Sequence, residues 1–142
     1  MSLETYFDFA ENDFEYFSFA YKNGLVANRM GAEAQEICEK YLKHLVTLSG
    51  DVSSNEEAFA REKVLKTHSL NRLLKYLKET AGIRFSKEAE RAMQIIDGFY
   101  FSTRYPGSDS VEIDKENVDN CYEAVTKCRE ETIKFMEKLE KK

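Results

Sequence analysis

Interruptions are rare in this chain: its 142 residues hold a single proline, Pro106, and six glycines. A β-sandwich or barrel reverses direction roughly every 8–12 residues and needs turn formers at each reversal. Helices need none along their length, and glycine and proline are the residues they tolerate least. The scarcity points to an all-α fold. Charged residues make up 33% of the chain, which suits long helices with solvated outer faces. The 42% that are hydrophobic supply one substantial core. Nothing marks a linker, an internal repeat or a low-complexity tract. Residues 1–142 are therefore expected to form one domain of ordinary size.

Apolar spacing divides the chain into segments. Between Glu4 and Asn23, Phe7, Phe14, Phe17 and Tyr21 keep helical spacing, and Asn23-Gly24 supplies a stop. Tyr6, Phe9, Tyr16 and Phe19 spread beyond one stripe, a surplus that fits a second covered surface such as a dimer partner. Leu25 to Leu48 carries Met30, Ala34, Ile37, Cys38, Tyr41, Leu42 and Leu45 on one face, and Ser49-Gly50-Asp51 ends it. Ser54-x-x-Glu57 offers a capping box for a short helix through Val64. Thr67 or Ser69 then caps a helix with Leu70, Leu73, Leu74 and Leu77, ending near Ala81-Gly82. Ser86 starts a segment with Ala89, Met93, Ile96 and Tyr100 on one face, which Pro106 stops by about Tyr105. Asp114 caps a last helix with Val118, Cys121, Tyr122, Val125, Cys128, Thr132, Phe135 and Leu139 inward. Its charged tail, Glu137 to Lys142, is expected to fray. The expected architecture is an up-and-down antiparallel four-helix bundle with one short additional helix.

A net charge of −5 excludes a broad basic nucleic-acid footprint, although a local positive site remains compatible with it. No stretch approaches the roughly 18 apolar residues of a membrane span. The opening MSLETYFDFAEND carries acids where a secretory signal carries positive charge, so a cytoplasmic location is expected. Three cysteines, an odd number, fit reduced thiols. Cys121 and Cys128 share a face with apolar neighbours and read as core thiols, with no histidine nearby to complete a zinc set. Glycine-rich phosphate loops, HExxH, CxxC and GxSxG are all missing. Neither a metal nor a cofactor is expected.

A few residues stand out as candidates. Lys40 and Lys43 follow Glu39, with Glu36 and Glu39 as local partners. The plain reading is a solvated face, since a phosphate site needs cations converging from elsewhere. His68 opens a helix, where the dipole disfavours an imidazolium, so a neutral, hydrogen-bonding imidazole is expected. Arg104 is flanked by Tyr100, Phe101 and Tyr105 where helix gives way to loop. Its stem can be buried while its guanidinium meets a carboxylate, a helix end or a phosphate.

Three segments occur in order: AEAQEICEKYLKHLV (Ala32 to Val46), THSLNRLLKYL (Thr67 to Leu77) and FYFSTRYPG (Phe99 to Gly107). Within them stand Glu39-Lys40-Tyr41-Leu42-Lys43, His68-Ser69-Leu70 with Leu73-Leu74, and Thr103-Arg104-Tyr105-Pro106. Together they resemble the HEPN family, named for a nucleotide-binding domain of higher eukaryotes and prokaryotes, in its "ARYP" form. The resemblance implies a helical bundle, often a homodimer. It also implies a role as the substrate- or nucleotide-binding partner of a minimal nucleotidyltransferase, or as half of a toxin–antitoxin pair. By position, Lys40, Lys43, His68, Arg104 and Tyr105 become the candidate ligand-binding residues.

Many HEPN toxins are metal-independent ribonucleases with an R-x4–6-H motif late in the chain, arginine steadying phosphate charge and histidine moving the proton. After Arg104 the histidine would fall at positions 109–111, which hold Asp109, Ser110 and Val111. The nuclease signature is broken there, and the expectation leans away from an enzyme. Arg61 and His68 have the right spacing, but they stand in mid-chain, where the H-x-L motif already accounts for His68. Three readings compete: a binding subunit for a nucleotide, RNA or a nucleotidyltransferase; a ribonuclease toxin; and a helical interaction module without a ligand.

Overall fold

A computed structural model describes residues 2–49 and 52–140. Among these there are seven helices and no strand: α1 (Tyr6–Lys22), α2 (Arg29–Leu48), α3 (Asn55–Leu65), α4 (Leu70–Thr80), α5 (Lys87–Ile96), α6 (Phe99–Ser102) and α7 (Lys115–Glu140). Side chains anticipated as caps start most of them. Ser54, Ser69 and Ser86 accept from Glu57, Arg72 and Ala89 backbone N–H groups. Asp114 accepts from the Asn117 N–H at 2.9 Å. Thr5 and Asp8 add a full capping box at α1 that the sequence reading passed over.

Cross-helix pairs give the directions. Phe7 meets His44 and Asp13 meets Lys40, so α1 runs antiparallel to α2. Ser86 meets Glu131 and Lys127 meets Glu88, so α5 runs antiparallel to α7. The up-and-down bundle is thus α1, α2, α5 and α7, with α2 packed most extensively on α7. Phe17, Tyr41, Leu42, Leu45, Leu70, Leu77, Met93 and Ile96 are fully buried in its core. Cys38, Cys121 and Cys128 are buried free thiols, and burial pushes the Cys121 thiol up to about 12.

Three expectations need correction. The segment from Ser86 to Tyr105 is not one helix, because it breaks at Asp97-Gly98, where Gly98 takes φ of +103°. The break is held open by side-chain chemistry. Asp97 turns its carboxylate to the Leu70 and Asn71 N–H groups at 2.9 and 3.2 Å, while Gln35 accepts from the Gly98 and Tyr100 N–H groups. Secondly, α2 starts at Arg29 rather than near Leu25. Asn28 spans outward instead, accepting from Ile113 N at 2.7 Å and donating to Val111 O at 2.8 Å. Thirdly, α7 stays helical through Glu140. Lys141, Lys142, Gly50 and Asp51 lie outside the described residues.

Candidate functional site

Two polar residues one turn apart on α2 build the centre of the site. Gln35 and Glu39 both sit on its inner face, fully and almost fully buried. Glu39 Oε1 lies 3.1 Å from His68 Nδ1 and 3.5 Å from Lys43 Nζ. Burial pushes the Glu39 carboxyl up, and its contacts with His68 and Lys43 oppose that shift. Gln35 Nε2 donates to the His68 carbonyl at 2.5 Å, and its Oε1 accepts from Tyr100 N at 2.7 Å. His68 is therefore gripped by its backbone and by its ring from the same helix face. The imidazole stacks on Tyr100, ring centroids 4.0 Å apart and planes within 9°.

Tyr100 passes the arrangement on to Arg104, whose guanidinium carbon stands 4.5 Å from the Tyr100 centroid and 5.6 Å from that of Tyr105. Arg104 is exposed, so its planar donor fork is open to solvent while two tyrosine rings limit its freedom. Tyr105 is 68% exposed. Both line a cleft of roughly 510 Å³ with Lys40 and Arg29 on one side of the charge balance and Asp13, Glu33 and Glu36 on the other. Lys40 is paired with Asp13. Among the described residues, Arg29 and Arg104 have no carboxylate at salt-bridge distance. The wall carrying Arg104 and Tyr105 is fixed by Asn28, which bonds to Thr103, Val111 and Ile113 around that loop.

Of the five candidates from sequence, Lys40, Arg104 and Tyr105 line this one cleft. Lys43 and His68 do not line it; they meet each other at Glu39. Lys43 is only 8% exposed, so it is turned inward rather than lying on a solvated face. His68 and Arg104 share contact with Tyr100, which joins the two groups. Arg61 donates to the Thr47 carbonyl at 2.9 Å, a bond that anchors α3 to α2. No cluster of three or more His, Cys, Asp or Glu side chains suited to a metal occurs among the described residues. No described helix is long and apolar enough to cross a membrane.

A family profile described as the HEPN domain matches residues 3–139. The chain belongs to the HEPN family. Neither a curated protein nor a solved structure gives a significant match. Within this HEPN domain, sequence reasoning missed Gln35, Glu39 and Asp97 as site builders. A signal was present: Gln35 and Glu39 interrupt the buried stripe of α2 at positions four apart, where only a partnered polar group is tolerated.

Proposed function

We propose that this HEPN protein is a non-catalytic binding subunit, probed most directly as a nucleotide binder, that works beside a nucleotidyltransferase in a pair of toxin–antitoxin kind. The observation that carries this reading is the meeting of Lys40, Arg104 and Tyr105 in one cleft from segments far apart in sequence. A guanidinium fork suits phosphate oxygens, and an uncovered tyrosine ring suits a base. The exposed aromatics Phe9, Tyr16 and Phe19 on α1 support a homodimer. Thermal shift and calorimetry on the full chain, with nucleotides and with the product of an adjacent nucleotidyltransferase gene, test the reading. Saturable binding weakened about tenfold or more in Arg104→Ala is expected. Stabilisation by neither nucleotide nor partner would sink it.

One observation favours a second reading. Glu39 engages His68 Nδ1 and so leaves Nε2 to exchange a proton, while Arg104 touches the Tyr100 ring that carries His68. A metal-independent ribonuclease needs those two roles. Cleavage of RNA that disappears in both His68→Ala and Arg104→Ala would support it, and activity equal in wild type and both variants would dismiss it.

A further inference from the structure

We infer that the Arg104 cleft takes a nucleoside monophosphate in preference to a polyphosphate or an RNA strand, because the cleft's own carboxylates balance its cations. The inference rests on the nucleotide reading above and narrows it. Arg29, Lys40 and Arg104 face Asp13, Glu33 and Glu36, a formal sum of zero. Lys40 is already committed to Asp13. That leaves two arginines to meet an anion, with Glu33 and Glu36 beside them. Burial, joined by the nearby Asp13 and Glu36 charges, pushes the Glu33 carboxyl up against the opposing pull of Arg29 and Lys40. The cleft thus already resists the negative charge it holds.

One phosphate can be met by the open fork of Arg104 with Arg29, at the cost of a single anionic group. Ribose hydroxyls and base amino groups are donors, and Glu33 and Glu36 can accept from them. Every further phosphate brings negative charge among three carboxylates, in a chain whose net charge of −5 gives no long-range attraction. The volume of roughly 510 Å³ falls within the range of small-molecule sites.

Calorimetry on the full chain in magnesium-free, low-salt buffer tests this with AMP, ATP and a 5′-phosphorylated RNA tetranucleotide. AMP is expected to bind about tenfold tighter than the other two. In Glu33→Gln/Glu36→Gln, which removes two of the three carboxylates, the ratio of AMP to ATP affinity should fall about tenfold, and an unchanged ratio overturns the inference. ATP or the tetranucleotide binding as tightly as AMP to the wild-type chain overturns the inference and leaves the nucleotide reading standing. Binding by none of the three removes both. The wild-type ranking needs no variant, so the test survives if the double variant fails to fold.

Discussion

Gln35→Leu should loosen the site and the fold together. The carboxamide makes three close bonds, to Gly98 N at 3.0 Å, Tyr100 N at 2.7 Å and His68 O at 2.5 Å. Leucine keeps the volume and removes all three. A buried group left without its partner costs about 1–3 kcal/mol. Gly98 and His68 are solvent-exposed and Tyr100 is half-buried, so water recovers part of the loss. A net destabilisation of about 2–4 kcal/mol follows, read by urea unfolding at neutral pH. Asp97 still ties the start of α4 to the helix break through Leu70 and Asn71, so the bundle should persist. What should go is the stack: the His68 ring protons lose the upfield ring-current shift that a tyrosine ring at 4.0 Å imposes. A loss under about 1 kcal/mol, or an unchanged His68 spectrum, would refute the clamp.

Three further outcomes are expected. Burial holds His44 below the ordinary histidine value, with Asp8 and Glu140 opposing, so the folded chain favours the neutral imidazole. Its contribution is present above the unfolded value of about 6.5 and is lost as pH falls below it. Urea midpoints at pH 7.5 and 5.5 should therefore fall less in His44→Phe than in wild type, and equal falls would contradict this. Burial alone raises Glu11, yet hydrogen bonds from Arg129 and Tyr41 outweigh it and hold the carboxyl low. Glu11→Gln should cost about 1 kcal/mol at neutral pH after screening, and the difference should vanish as acid titrates the wild-type carboxylate below about 4.5. In Gly31→Ala, the new Cβ meets Thr103 at 3.0 Å, Ile113 at 3.2 Å and Phe99 at 3.3 Å. Helix propensity favours alanine by about 1 kcal/mol, but the crowding costs about 1–3 kcal/mol. Thermal melts should show net destabilisation, and a rise in Tm would show that the α6 segment yields freely.

The sequence declared what is local. Cap residues at Ser54, Ser69, Ser86 and Asp114, and the apolar stripes of α2, α4 and α7, depend on neighbours a few positions away. The family motif residues Lys40, His68 and Arg104 were visible as well. Hidden were the residues whose meaning lies in distant partners. Gln35 acts on residues 33 and 65 positions away, and Glu39 on one 29 away. The break at Asp97-Gly98 was missed for the same reason. Ala89, Met93, Ile96 and Tyr100 keep helical spacing across it, and only the competing hydrogen bonds from α2 and α4 interrupt the ladder.

The grip of Asn28 on Val111 and Ile113 spans 83 and 85 positions. That separation orders events during synthesis. A nascent chain can pair α1 with α2 early, but the amide of Asn28 gains its two shorter bonds only once the segment past Pro106 has emerged. Arg104 and Tyr105 are therefore tethered only after Val111 and Ile113 have emerged, later than the α1–α2 pair. The wall that carries Arg104 and Tyr105 thus matures later than the α1–α2 pair, and a chain cut short before Val111 would hold that wall through Asn28 by the contact with Thr103 alone.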